Sequence, residues 1–267
     1  MKKHMSTIIL VLVFIIGLSL LLYPTVSDYW NSFHATQAVV NYSSEVADIP
    51  DEDYQKIIEE VKDYNTRASG PRVLSEKEKQ EYMSLLNIDG SGMMGYIEIP
   101  VIHIQLPIYH SVDESVLQIG AGHVEGSSLP IGGEGTHTVL SGHRGVPSAR
   151  LFTALDKLTE GDTFRLLILD DVLTYEVDQI RIVLPNETKD LRIVPGMDYC
   201  TLVTCTPYGV NTHRLLVRGH RVKTPDDGSR ITADAFKIDT VIAAPFYAMP
   251  VLIVLLAYLM IKYRRKK

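Results

Sequence analysis

"TLVTCTPYGVNTHRLLVRG", residues 201–219, reads as two β-strands joined by a short turn, and it carries Cys205, one of two cysteines in the chain. The β-branched "TLVT" favours extended backbone up to Cys205, and "PYGVN" supplies the proline, glycine and asparagine that turns use. On the second strand Arg214, Leu216 and Arg218 share one face, and His213, Leu215 and Val217 the other, because side chains alternate along a strand. If the two strands pair across the turn, Arg214 comes close to Cys205. Cys205 then has three readings: apolar filler, half of a disulfide with Cys200, or nucleophile. The disulfide fails on geometry. Five steps along a strand place the two side chains on opposite faces with Cα atoms ~16 Å apart, whereas a bridge needs less than about 7 Å.

The same period-2 pattern extends back to Gly95 through "GYIEIP", "IHIQLPIY", "HTVLSGH", "DTFRLLIL" and "LTYEVDQIRIV", with turn residues between the runs. Short strands at this spacing predict a mainly β barrel or sandwich. "SARLFTALDKL" (148–158), just after Pro147, predicts one helix among them. The glycine-rich "GAGHVEGSSLPIGGEG" (120–135) is expected to be a long loop; it lacks the strand–helix context of a phosphate cradle. Upstream, "DEDYQKIIEEVKDYN" (51–65) places Tyr54, Ile57, Ile58, Val61 and Tyr64 on one helical face, with acids at its start. Residues 66–93 read as a polar connection with a short helix around 75–86. The chain contains no internal repeat.

Both ends are apolar. Met5–Ser27 and Thr240–Ile261 hold no charged residue, and each is long enough to cross a ~30 Å hydrocarbon core as a helix. "MKKH" precedes the first and "KYRRKK" closes the second, so the positive-inside rule puts both termini in the cytoplasm and residues 28–239 outside. A cleaved signal peptide is the other reading of the first run. No small-x-small site follows it, which favours an uncleaved anchor. The basic residues after the second run argue against a GPI signal, and membrane helices tolerate Pro245 and Pro250. Of 26 Lys/Arg, seven lie in the two ends, leaving 19 against 32 Asp/Glu outside, a net charge of −13. That argues against nucleic acid; a basic partner is one reading, and a solvated acidic surface is the favoured one.

A thiol reacts as thiolate, so a catalytic cysteine needs a neighbouring base or cation, and acyl transfer needs donors for the developing oxyanion. Of nine histidines, His4 flanks the membrane run, and His103, His137 and His220 sit within strand patterns. His143 differs: it follows "TVL" inside "SGHRG", where flanking glycines let the backbone turn and the imidazole project from a strand end. Arg214 would bring a permanent charge and fixed donors. Spacing alone leaves a structural histidine and a surface salt bridge standing as equal alternatives.

Taken together, "TLVTCTPYGVNTHRLLVRG" and "HTVLSGHRG" closely resemble the sortases, cysteine transpeptidases of Gram-positive cell surfaces. Thr201, Leu202, Thr204, Cys205 and Arg214 match the family's T-L-x-T-C…R pattern, and His143 matches its histidine. The resemblance covers about 95 to 222. "GHVEGSSLPIGG", "PSARLFTALDKL" and the carboxy-terminal membrane run resemble the pilus-assembling class, class C. It implies an eight-stranded β-barrel with a few short helices, flanked by an amino-terminal and a carboxy-terminal transmembrane helix. The layout would be 1–27 cytoplasmic start and anchor, 28–93 helical and connecting segment, 94–223 catalytic barrel, 224–239 linker, 240–261 second membrane helix and 262–267 basic tail.

The implied chemistry is cleavage of an LPXTG-like sorting signal after threonine. Cys205 would form a thioester, His143 would act as acid and base, and Arg214 would stabilise the oxyanion. A pilin lysine amine would then take the acyl group; no metal or cofactor takes part. The loop "VLPNETKDLRIVPGMDY" (183–199) is where the family shapes its groove, which makes Leu191 and Val194 candidate apolar contacts. Thr204 has either an orienting or a packing role. Many class C enzymes carry a lid with an Asp-Pro-aromatic motif. The corresponding stretch here is "NTRASGPRVLSEKE", without that tripeptide, so no aspartate gate is expected over Cys205. "LPNET" (184–188) has its threonine one place late and no following glycine, so it is not a sorting signal. Transfer to peptidoglycan precursor amines and an idle scaffold on the same barrel are the other readings. A papain-like hydrolase is a poorer fit, since Cys205 follows His143 in sequence and lacks papain-type flanks.

Overall fold

The computed structural model describes residues 2–146 and 149–224. The expected linker, second membrane helix and basic tail from residue 225 onward lie outside the described residues. Eight strands close into a barrel in the order β1-β2-β3-β4-β7-β8-β6-β5. They are β1 Met93–Ile99, β2 Ile104–His110, β3 Ala121–His123, β4 Thr136–Ser141, β5 Thr163–Ile168, β6 Asp171–Val183, β7 Asp198–Thr206 and β8 His213–Val222. The pairs β2/β3 and β4/β7 are parallel and the rest antiparallel. Closure leaves no sheet edge open. The inward faces pack around Phe164, which stacks on Tyr175 at 5.6 Å between centroids, with Ile97, Leu140, Leu202 and Val217 fully buried beside them.

Three helices precede the barrel: α1 Lys2–Ala47, α2 Asp51–Arg67 and α3 Glu76–Ser84. α1 is long and apolar enough to cross a membrane, and it continues without a break through residue 28. Its later turns bury Val39, Tyr42 and Val46 against the barrel. The Tyr42 hydroxyl donates to the Met94 carbonyl at 2.8 Å and accepts from the Leu169 N–H at 2.9 Å. α2 forms as its periodicity predicts and buries Val61 and Tyr64. Its Asn65 side chain bonds both backbone groups of Leu129, at 3.0 and 2.7 Å. α3 opens with a reciprocal Ser75–Glu78 capping box, and its Tyr82 is fully buried, meeting His123 at 3.0 Å.

Three local expectations change. The helix expected over 148–158 is a series of tight turns ending in a short 3-10 helix, Leu155–Lys157. Leu151 has a φ of 39°, which an α-helix does not accommodate, and the bonds run i to i+3: Thr153 N to Arg150 O, Leu155 N to Phe152 O, Lys157 N to Ala154 O. Leu151, Phe152, Leu155 and Leu158 are all buried; the apolar spacing serves a coiled turn as well as an α-helix. The loop expected over 120–135 contains β3, and an unforeseen one-turn helix, α4 Glu114–Leu117, precedes it. His103, expected within a strand, sits at a turn with φ 52°.

Candidate active site

β7 and β8 form the hairpin expected from 201–219, and Cys205 lies directly opposite Arg214. Neither cysteine is bonded to the other: Cys200 is buried in the barrel and Cys205 is half-buried on the opposite face. Burial, with Asp198 nearby, pushes the Cys200 thiol well up, so Cys200 stays neutral. The turn between the strands closes with Val210 and Asn211 N–H groups on the Pro207 carbonyl, at 3.1 and 3.0 Å. Arg214 Nη1 donates to the Asn211 and His213 carbonyls at 3.3 and 3.1 Å. Among the described residues no carboxylate pairs with Arg214, so its positive charge is not cancelled by an ion-pair partner.

His143 reaches the same place from the other side of β7. β4 runs parallel to β7, with Ser141 paired to Val203. Gly142 N–H continues that ladder onto the Val203 carbonyl at 3.0 Å. His143 lies two residues past Ser141 and Cys205 two residues past its partner Val203, so the loop carrying His143 starts beside the end of β7 where Cys205 faces Arg214. A side chain at Gly142 would strike the Phe152 ring at 2.6 Å, which is why the backbone there carries none. Thr204 is buried and its hydroxyl donates to the Gly142 carbonyl at 2.8 Å; it ties the cysteine strand to the histidine segment rather than lining a groove.

The imidazole is turned to α4, where Nε2 lies 3.2 and 3.3 Å from the two Glu114 oxygens. Hydrogen bonds from Gln118 and then from His143 hold the Glu114 carboxyl below the usual carboxylate range. Three other histidines are shut out of chemistry by burial, which lowers the affinity of His110 and His137 for a proton and takes His123 down to about 4. His137 is held between the Thr201 hydroxyl at 2.7 Å and the Arg192 carbonyl at 2.8 Å.

Arg144 is a member of the site that spacing did not single out. Its side chain is 10% exposed, pairs with Asp156, and donates from Nη1 to the Thr206 hydroxyl at 3.2 Å. It therefore bolts the residue after His143 to the residue after Cys205. Its position in "SGHRG" was the available signal. Leu191 is buried against Val139, Val203 and Leu216 beneath this face, whereas Val194 is exposed in the 183–199 loop with Ile182 and Leu184 nearby on the surface. The stretch matching the expected lid position lies along a different loop: Gly70 and Arg72 N–H groups donate to Gly126 and Glu125 carbonyls at 3.2 and 3.1 Å. Among the described residues no hydrogen bond joins 66–92 to Cys205, His143 or Arg214. No cluster of three His, Cys, Asp or Glu side chains suited to a metal occurs among them either.

The described geometry sets a half-buried thiol directly opposite Arg214 on the paired strand, with the His143 segment following the strand that pairs with β7. The sortase domain family matches residues 97–222. Sortase C1 from Streptococcus agalactiae has a solved structure that is 54% identical, with a TM-score of 0.69 over 71% of this chain and 100% of that one. Sortase C from Streptococcus pneumoniae is 41% identical, with a TM-score of 0.65 over 70% of this chain and 97% of that one. Sortase D of Bacillus subtilis is 34% identical over 131 residues, which are 48% of this chain and 63% of that protein. The chain belongs to the sortase family, whose members are cysteine transpeptidases acting on LPXTG-like motifs, and its structural neighbours are class C sortases.

Proposed function

We propose that this chain is a membrane-anchored transpeptidase that cuts an LPXTG-like signal after its threonine and joins the new acyl end to a lysine amine of a pilin subunit. The observation that carries the reading is the placement of Cys205 opposite Arg214 on β7 and β8, with His143 two residues beyond the end of β4, the strand paired with β7. The Cys205 thiolate attacks the threonine carbonyl carbon, and the Arg214 guanidinium faces the oxygen on which negative charge grows. The C–N bond breaks as His143 gives its proton to the departing amine, leaving a thioester. The incoming lysine amine loses a proton to His143, attacks the thioester carbonyl, and expels the thiolate, so the enzyme is restored. Amine competes with water because the groove holds it beside the thioester, an advantage that can reach several powers of ten. The pilin assignment draws on the class C neighbours; the Streptococcus pneumoniae enzyme is described in terms of pilin substrate specificity.

The full-length chain incubated with candidate pilins, followed by mass spectrometry of the crosslink, tests this. A threonine–lysine isopeptide is the expected product. Only hydrolysed pilin, or threonine joined to a peptidoglycan amine, would replace the pilin acceptor. Cys205→Ala should abolish both cleavage and ladders, and normal ladders from that variant would overturn the covalent route.

A further inference from the structure

α1 is helical throughout from Lys2 to Ala47, with Pro24 inside it, so the apolar run joins the turns that pack on the barrel with no intervening loop. Its most apolar stretch is entirely unburied. Asp28, whose side chain is 14% exposed, pairs with Arg150. Two contacts set the helix direction. At Asp28, Oδ1 accepts the Arg150 N–H at 2.9 Å and Oδ2 pairs with Arg150 Nε at 3.2 Å. Arg150 belongs to the segment that follows His143, and Phe152, two residues on, donates its N–H to the His143 carbonyl at 3.1 Å. At Tyr42, the hydroxyl meets Leu169 in the β5–β6 turn.

These contacts sit at opposite ends of the barrel. β6 starts at Asp171, beside Leu169, and ends at Val183, which pairs with Arg214 opposite Cys205. Thirteen residues of strand are about 40 Å long, which at a barrel tilt of about 45° rise about 28 Å, comparable with the about 21 Å of helix from Asp28 to Tyr42. The helix therefore leaves the barrel at the Cys205 end, and the apolar run projects beyond that end. On the helix's outward stripe, Tyr23, Trp30 and Phe33 are 57%, 63% and 53% exposed. Aromatic rings gather where hydrocarbon meets headgroups. If about 20 residues ending at Ser27 fill the hydrocarbon core, Trp30 stands about 4–5 Å above it.

We propose that Trp30 and Phe33 rest in the headgroup layer of a lipid bilayer, with Tyr23 just below it, and that the barrel is held with its Cys205 mouth toward the membrane, the Asp28–Arg150 pair fixing the His143 segment to the helix. The inference rests on Met5–Ser27 spanning the bilayer and is independent of which amine accepts the acyl group. Trp30 is the single tryptophan in the chain, so its fluorescence reports directly. In the full-length chain in lipid nanodiscs, lipids brominated high on the acyl chain should quench Trp30 more than lipids brominated near the chain end. Absence of quenching would overturn the interface.

Orientation is read by energy transfer to acceptors on lipid headgroups. A donor on Cys205 should transfer more strongly than a donor on Asp170→Cys in a Cys205→Ala chain, Asp170 lying in the far turn. Equal transfer, or stronger transfer from the far turn, would overturn the orientation. Asp28→Ala should narrow the difference, and an unchanged difference would remove the ion pair from the device. Both readouts are geometric, so their failure leaves the acyl-transfer reading standing, and loss of activity leaves them standing.

Discussion

Replacing Arg144 by alanine removes a guanidinium that spans from the histidine segment to the cysteine strand. The bond to the Thr206 hydroxyl at 3.2 Å is charge-assisted and worth about 1.5–3 kcal/mol. The Asp156 carboxylate is 45% exposed, so that pair adds at most about 1 kcal/mol. Burial of the alkyl stem contributes about 1 kcal/mol. Against these, Arg144 Nε is buried without a partner among the described residues, and its removal recovers part of the loss. The net cost is about 2–3 kcal/mol, a fall in Tm of roughly 5–10 °C for a domain of this size. The consequence for catalysis is separate: a displacement of His143 by about 1 Å can cost ~100-fold. With a fluorogenic LPXTG-like peptide, assayed well below Tm, Arg144→Ala should lower kcat about 10- to 100-fold and leave KM within about twofold. Arg144→Lys, which keeps the charge and one donor, should restore part of kcat. A variant that melts earlier but keeps full kcat would show that Arg144 only braces the fold, and would refute its positioning role.

Arg214→Ala should reduce turnover by about 100-fold while shifting Tm little, since its bonds are to exposed or half-buried carbonyls of its own turn; large destabilisation with normal turnover would return it to a structural role. Stability should fall on acidification from about pH 6.5 to about 4. His123 is held neutral with its pKa depressed to about 4, so below the ordinary histidine range the unfolded chain binds the extra proton and gains on the native state, by about 3 kcal/mol across that window. His110 and His137 add in the same direction. Melting curves across the window check this, and a flat profile would contradict it; His123→Gln should flatten the slope. A small thiol reagent should modify one cysteine rapidly in the native chain, Cys205, and reach Cys200 only after unfolding. Slow labelling of Cys205 that becomes fast when residues 66–92 are shortened would reveal a working lid.

The hairpin of β7 and β8 was legible because its strands adjoin in sequence and alternation assigns every face. The same parity excluded a Cys200–Cys205 bridge. Placing His143 beside Cys205 depends on β4 pairing with β7 in parallel, sixty residues away, and such pairing leaves no local trace. Arg144 escaped for the same reason, since it acts by a hydrogen bond between segments distant in the chain. The turns over 149–158 look helical because burying a side chain every third or fourth residue satisfies a 3-10 coil as well as an α-helix.

Composition and alternation by themselves determined a β-rich domain behind an apolar amino-terminal run, with Cys205 and Arg214 on neighbouring strands. Motif likeness added His143 and the family. Only closure of the barrel decided that the His143 segment follows a strand paired with the cysteine strand, and that His143 faces Glu114. Local propensity acts over a few residues, whereas barrel register and helix docking are set by burying apolar surface between segments far apart in the chain.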